Sequence, residues 1–126
     1  MSLRTPLAQV RGLGSARQGA HHWWVQRITA AMLIPLFIWF VGTMITLATG
    51  GYTEAVELIR SPVVAGALLM LIVAIFYHAA FGLQVVIEDY ISEKGTQISA
   101  IVSMRFTMIL LAVISVVSVF KVAVGG

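Results

Sequence analysis

One histidine, His78, lies deep within a long apolar stretch of the sequence, where an imidazole needs a bonding partner. Counted back from Ile87 at about 1.5 Å per residue, it would lie roughly 13 Å inside the end of an apolar helix. An unpaired polar group in hydrocarbon costs on the order of several kcal/mol. Three partners suit this position: a hydrogen-bonding group of another helix, a proton path, or a metal such as a haem iron.

Small residues beside His78 leave space on the same side of the predicted helix. Gly82 follows at the i+4 position, on nearly the same face, and Ala79 is adjacent in sequence. A glycine beside a ligating histidine gives room for a flat macrocycle to lie against the helix. Close packing of two membrane helices is the alternative interpretation, because small residues are common at such interfaces.

Three polar residues, Glu88, Asp89 and Tyr90, end this apolar stretch. Asp89 comes eleven residues after His78, which is about three helical turns, so both lie on one face. The ordinary interpretation is a solvated helix end with an amphipathic tyrosine at the membrane interface. Acids at a helix C-terminus are slightly disfavoured by the macrodipole, which hints at another use for them.

A second set of ionisable residues precedes the first apolar stretch: Arg17, His21, His22 and Arg27. Arg27 could bind an anion where that stretch begins, and its ordinary role is a membrane anchor. His21 and His22 would point about 100° apart on a helix, which makes a poor bidentate metal site. They could still relay protons near neutral pH.

The composition is that of an integral membrane protein. Of the 126 residues only 10% are charged, against about a quarter in soluble domains, and the mean hydropathy is +0.98. The chain has no cysteine, which excludes disulfides and Cys-ligated clusters within it. Basic residues flank apolar runs and do not cluster with aromatics, so no nucleic-acid partner is expected.

The expected fold is an all-α integral membrane domain over residues 1–126, with three transmembrane helices. Each predicted span is long enough to cross about 30 Å of hydrocarbon. Three helices make a poor self-sufficient bundle, so they should belong to a heteromeric one. Pro35 should kink the first span, and Gly50-Gly51-Tyr52 should open a short loop. The predicted spans are about residues 28–49, 63–87 and 98–122.

The basic residues also predict orientation. With the N-terminus inside, the inner side holds Arg4, Arg11, Arg17, Arg27, Lys94 and Arg105, and the outer side holds Arg60 and Lys121. The positive-inside rule therefore predicts a cytoplasmic arm, residues 1–27, and a C-terminus on the outer side. An Arg-rich, acid-free arm can also be a mitochondrial transit peptide, in which case the matrix replaces the cytoplasm.

Two stretches resemble the small cytochrome b-type membrane-anchor subunit of succinate dehydrogenase, respiratory complex II. Residues 78–90 carry a histidine, a glycine four positions later, a glutamine two after that, and then Asp-Tyr. Residues 17–30, with the letters RQGAHHWWVQRITA, resemble the family's segment entering its first helix. With the three-span layout, the resemblance covers most of the chain.

The resemblance implies roles for five residues. His78 would be one axial ligand of a haem b, and the larger cytochrome b anchor subunit would supply the other. Tyr90 and Asp89 would border a ubiquinone site. Arg27 would face a haem propionate, and His21 would lie near the propionates or the quinone proton path.

The resemblance also implies partners and a location. A flavoprotein with FAD and an iron–sulfur subunit would oxidise succinate for the tricarboxylic acid cycle and respiratory chain. This chain would attach them to the membrane without catalytic activity of its own. The membrane would be a bacterial inner membrane, or alternatively the mitochondrial inner membrane, with lipid around the helices. His22 differs from the acidic residue found there in some relatives.

Three alternatives remain open from the sequence. A haem-free structural anchor would hydrogen-bond His78 across a helix interface. A fumarate reductase anchor would serve the reverse reaction. A small proton-coupled transporter would need an acidic residue within a span, and none of the three spans contains one.

Overall fold

The computed structural model of the chain describes residues 6–7 and 17–125, with side chains from Gly19 onward in the second range. Residues 17–125 form four α-helices, and neither described range contains a strand. They are α1 (Arg17–Leu47), α2 (Tyr52–Arg60), α3 (Pro62–Tyr90) and α4 (Lys94–Val124). Three of them are long and apolar enough to cross a membrane: Gly19–Leu47, Pro62–Tyr90 and Lys94–Val124. The predicted all-α fold with three spanning helices is confirmed, whereas the orientation of the termini stays a prediction.

The long helices extend beyond the apolar stretches that predicted them. Helix α1 includes residues 17–27, which the hydropathy pattern assigned to the arm. Hydropathy marks where hydrocarbon ends, and a helix continues past that point until a residue breaks it. A helix of 29 residues is about 43 Å long, longer than the roughly 30 Å of hydrocarbon. Arg4 and Arg11 of the predicted arm lie outside the described residues.

The connection between the first two spans differs from the predicted short loop, because it contains helix α2. Its half-buried side carries Ala55, Val56, Leu58 and Ile59, and its exposed side carries Glu54 and Glu57. This amphipathic pattern lets α2 pack its apolar side against α3 and α4. A helix of 9 residues gives too few periods to be recognised among the turn residues that flank it.

Helix α3 lies between the other two long helices, and α1 and α4 pack on its sides. Leu71 and Ala74, both on α3, are the only buried residues in the described part of the chain. Large apolar side chains such as Ile38 on α1 and Phe106 on α4 remain exposed. Such a surface requires lipid or another protein to cover it.

Hydroxyl groups within the spans bond to their own helices. Thr43 donates to the Trp39 carbonyl at 2.9 Å, and Ser118 donates to the Ile114 carbonyl at 2.7 Å. These i−4 bonds satisfy hydroxyls that hydrocarbon could not hydrate. Helix α1 continues through Pro35, which lacks the amide proton that the Ala31 carbonyl would accept.

Both ends of α4 are capped. The Glu93 carboxylate accepts hydrogen bonds from the Gly95 and Thr96 amides and occupies the N-cap position. Hydrogen bonds from Thr96, side chain first, and from Gly95 lower the pKa of Glu93 below its ordinary value. At the other end, Gly125 has φ of +88° and donates to the Lys121 and Val122 carbonyls. Glycine adopts this left-handed conformation without steric cost.

Candidate functional site between helices α1 and α3

A cleft of about 470 Å³ separates the faces of α1 and α3. Helix α1 contributes two rows of residues spaced four apart, one beginning at His22 and the other at Trp23. Helix α3 contributes residues spaced three and four apart, beginning at His78. Both spacings place side chains on one face of a helix. The lining residues are His22, Trp23, Gln26, Arg27, Ala30, His78, Phe81 and Val85.

His78 is half-buried in this cleft and contacts the opposite helix. Its Nδ1 atom lies 3.0 Å from the Thr29 Oγ1 atom of α1. The Thr29 hydroxyl also lies 2.8 Å from the Val25 carbonyl oxygen and 3.1 Å from that of Gln26. The imidazole therefore has a hydrogen-bonding partner for one nitrogen, which leaves Nε2 as the nitrogen that could bind a metal.

Arg27 brings a positive charge to the cleft. Its side chain is exposed, and its guanidinium carbon lies 4.3 Å from the centroid of the Trp23 ring. A guanidinium held over an aromatic ring still has N–H groups that can bind a carboxylate in a bidentate manner.

His22 lies in the cleft, whereas His21 does not line it. The His22 ring packs edge-on against Phe81, with centroids 4.3 Å apart. This contact joins α1 to α3 near the cleft. His21 is exposed on α1, so a role toward an anion or a proton path stays a prediction.

Gln26 supplies an unpaired polar atom. Its Oε1 atom is buried and has no hydrogen-bond partner among the described residues. Buried polar atoms are nearly always paired in native proteins, so an atom like this one points to a missing donor. A bound molecule with a hydroxyl or amine group, or an ordered water, would supply it.

Gly82 faces Gln26 across the two helices. A Cβ atom built on Gly82 would lie 3.6 Å from the Gln26 Nε2 atom, which is ordinary van der Waals contact. The close helix packing considered from the sequence therefore has a specific partner in this structure. Space for a flat group against Gly82 stays a prediction.

The acidic end of α3 lies apart from the cleft. Asp89 and Tyr90 are exposed, and Tyr90 retains 86% of its accessible surface. Neither residue lines the cleft. Since His78 precedes Tyr90 by twelve residues, the two positions are about 18 Å apart along the helix axis. A site at Tyr90 would therefore lie well away from His78, while the cleft itself extends to Val85, five residues before Tyr90.

A chain of polar groups joins α3 to α4 near this end. The Arg105 guanidinium donates to Gln84 Oε1 at 2.6 Å, and Gln84 Nε2 donates to Glu88 Oε1 at 2.7 Å. These hydrogen bonds give Glu88 a structural partner, which the sequence alone did not assign. Gln84 and Arg105 also line a second, mainly apolar cavity of about 370 Å³ between the two helices.

Two predicted site residues, Arg27 and His78, thus share one cleft, and the other three lie elsewhere. Thr29 was not predicted, because a contact with a residue 49 positions away leaves no periodic signal in the sequence. Gln26 was not predicted, because the burial of its Oε1 atom is visible only in the folded chain. No group of three His, Asp or Glu side chains in the described part of the chain could hold a metal ion. A metal at His78 would have to bring other ligands with it.

The comparisons with known proteins cover almost the whole chain. The family described as succinate dehydrogenase/fumarate reductase transmembrane subunit matches residues 1–122. The succinate dehydrogenase hydrophobic membrane anchor subunit of Rickettsia bellii is 32% identical over 117 residues, which cover 93% of this chain and 94% of that protein. The protein of the same description from Rickettsia conorii is 32% identical over 119 residues, with the same two coverages. No solved structure gives a significant match.

The matched family is described as transmembrane, in agreement with the apolar helices of this chain, and the match spans all five predicted site residues. The family predicted from residues 17–30 and 78–90 is confirmed: the chain belongs to the succinate dehydrogenase/fumarate reductase transmembrane subunits, as a membrane-anchor subunit of complex II.

Proposed function

We propose that this chain anchors a succinate:ubiquinone oxidoreductase and contributes to the binding of one haem b and of ubiquinone. The observation that carries the proposal is the cleft in which the imidazole of His78 and the cation Arg27 lie together. The chain attaches a flavoprotein subunit and an iron–sulfur subunit to the membrane and has no catalytic activity of its own. The exposed apolar faces of α1 and α4 meet lipid and the larger cytochrome b anchor subunit.

The residues of the cleft suit a haem in three respects. His78 would hold the haem iron through one imidazole nitrogen, and a histidine of the larger anchor subunit would supply the second protein ligand. The macrocycle would bring its own nitrogen ligands, which suits a site to which this chain offers a single protein ligand. The Arg27 guanidinium matches a propionate carboxylate in charge and geometry. When bound, the haem supplies a one-electron carrier in the membrane.

The exposed end of α3 suits ubiquinone. The Tyr90 hydroxyl can donate a hydrogen bond to a quinone carbonyl, which accumulates negative charge on reduction. Asp89, adjacent and exposed, can hold or pass a proton toward the same oxygen. His21 is a further candidate proton carrier.

The orientation proposed is the one that the basic residues favour. The start of α1 and the loop between α3 and α4 face the cytoplasm of a bacterium, and the C-terminus lies on the outer side. The membrane is then the bacterial inner membrane. In a mitochondrion the same ends would face the matrix. Labelling of cysteines introduced at Tyr52 and at Glu93 with a membrane-impermeant reagent would distinguish the two sides.

A visible spectrum tests the haem proposal. The complex is purified through this chain in mild detergent, and the dithionite-reduced minus oxidised difference is recorded for wild type, His78→Ala and Tyr77→Phe. We expect a b-type α-band in wild type and in the neighbouring Tyr77→Phe control, and its loss in His78→Ala. Normal haem loading of His78→Ala would refute the ligand assignment.

A haem-free structural anchor is the second candidate, and one observation favours it. The hydrogen-bond contact between Thr29 and His78 already satisfies one imidazole nitrogen across a helix interface. Under this candidate the wild-type complex shows no α-band but retains its soluble subunits. The family description also includes fumarate reductase. An anchor of fumarate reductase would be distinguished from an anchor of succinate dehydrogenase by the preferred direction of the quinone reaction.

A further inference from the structure

Two helices meet at the contact between Thr29 of α1 and His78 of α3. The 3.0 Å separation of Oγ1 and Nδ1 is that of a hydrogen bond, and both side chains are half-buried. Within the described residues, His78 has no other side-chain hydrogen-bond partner. The contact therefore fixes the imidazole relative to α1.

The Thr29 hydroxyl has one proton and three polar atoms within hydrogen-bonding distance. Two of these atoms are the backbone carbonyl oxygens of Val25 and Gln26, at 2.8 and 3.1 Å. A carbonyl oxygen can only accept, whereas Nδ1 of a neutral histidine can also donate. A threonine in a helix commonly donates to the i−4 carbonyl, and Thr43, Thr46 and Thr107 do so in this chain.

We infer that Thr29 is a positioning residue: its hydroxyl donates to the Val25 carbonyl and accepts a hydrogen bond from the Nδ1–H group of His78. This arrangement selects the tautomer in which Nε2 carries a lone pair and can bind iron. It also holds the plane of the imidazole ring through a contact on the opposite helix. Histidine ligands of metals commonly donate their second N–H in this way, which orients the ring and raises its basicity.

The inference rests on the proposed haem ligand and adds a residue to which the family resemblance assigned no role. A hydroxyl oxygen is a weaker acceptor than a carboxylate. We therefore expect loss of Thr29 to weaken haem retention by about tenfold, the lower end of the range for partners of metal ligands. Loss of electron donation to the imidazole should favour the ferrous over the ferric haem, so the midpoint potential should rise.

The test compares Thr29→Val with Thr29→Ser and Thr43→Val in the complete complex. Valine has nearly the shape of threonine without the hydroxyl, and serine keeps the hydroxyl. Thr43 is a matched control, because it makes the same i−4 bond in α1, at 2.9 Å to the Trp39 carbonyl, and has no cross-helix partner among the described residues. The readouts are haem per assembled complex, the midpoint potential and the low-spin EPR g-values, none of which is an activity.

Thr29→Val should lose haem, raise the potential and shift the g-values, while Thr29→Ser and Thr43→Val should match wild type. Equal haem content, potential and g-values in Thr29→Val and Thr43→Val would overturn the positioning role and leave His78 as a ligand. A wild-type complex without haem would instead overturn the proposed function, and this inference with it.

If Thr29→Val fails to assemble, Thr29→Ala takes its place, since alanine removes the hydroxyl without adding bulk. Haem measured per assembled complex separates loss of the ligand from loss of assembly. Haem retention by Thr29→Ala at the level of Thr29→Ser would then also refute the inference.

Discussion

A substitution at Gly82 distinguishes two interpretations of the space beside His78, which are contact with a flat ligand and close packing of two helices. The substitution Gly82→Ala adds one methyl group at a known place. The new Cβ would lie 3.6 Å from the Gln26 Nε2 atom, in ordinary contact with α1. The packing of α1 against α3 should therefore tolerate it. Replacing glycine by alanine within a helix also favours the helix by up to about 1 kcal/mol.

A ligand in van der Waals contact with Gly82 would not tolerate the methyl group. Overpacking by one such group costs about 1–3 kcal/mol, which corresponds to roughly a 5- to 150-fold loss of affinity. We therefore expect Gly82→Ala to lower haem per assembled complex without lowering the melting temperature of the complex. Haem content is measured from the reduced minus oxidised spectrum, and thermal stability from the loss of assembled complex on heating.

Gly66→Ala provides the matched control. Gly66 lies on the same helix, and a Cβ atom there would meet nothing within 4 Å in this chain. If Gly82→Ala retains as much haem as Gly66→Ala, the idea that a flat group lies against Gly82 is wrong. If Gly82→Ala melts well below Gly66→Ala while both bind haem, close helix packing is the role of the glycine.

Three further predictions concern the region where α3 ends and α4 begins. Tyr90→Phe should slow quinone reduction by about tenfold, the loss of one hydrogen bond, and leave succinate oxidation by an artificial acceptor unchanged; equal loss of both activities would contradict it. Arg105→Ala and Gln84→Ala should be coupled by about 1 kcal/mol in a double-mutant cycle of thermal stability, because the two side chains bond at 2.6 Å, and additive effects would contradict the bond. The pKa of Glu93 is lowered from 4.5 in the folded chain, so its carboxylate stabilises the fold above its unfolded pKa and this stabilisation is lost as the pH falls through the folded pKa. The melting-temperature difference between wild type and Glu93→Gln should therefore be present at neutral pH and disappear well below pH 4.5, and a difference independent of pH would refute the capping role.

The three spans could be predicted because hydrocarbon imposes one strong requirement on each. A spanning segment must be apolar and long, so the stretches around Ile28, Val63 and Phe106 were recognisable without any knowledge of their neighbours. The ends of the helices were harder to predict from the sequence, because Arg17 continues a helix in water as readily as Ile28 does in lipid. Helix α2 was missed since nine residues carry little periodic signal.

The candidate site was predictable only in part, for a related reason. His78 stands out because a polar residue inside an apolar stretch is costly and needs an explanation. Arg27 stands out through its charge at the start of a span. Thr29 and Gln26 carry neither signal, since a hydroxyl or an amide is unremarkable in sequence until a folded chain shows which residue lies opposite.

The position of helix α2 has a consequence for the order in which the chain assembles. Its apolar side packs on both α3 and α4, and Arg60 at its end lies near Gly125, with Nη2 3.4 Å from the position of a Cβ there. During synthesis α2 emerges before either of these helices. Its apolar side therefore remains without part of its partner surface until α4 has entered the membrane. A nascent chain halted after residue 93 would expose Val56 and Ile59. Insertion of α4 is therefore also the step that completes the packing of α2, the connection between the first two spans.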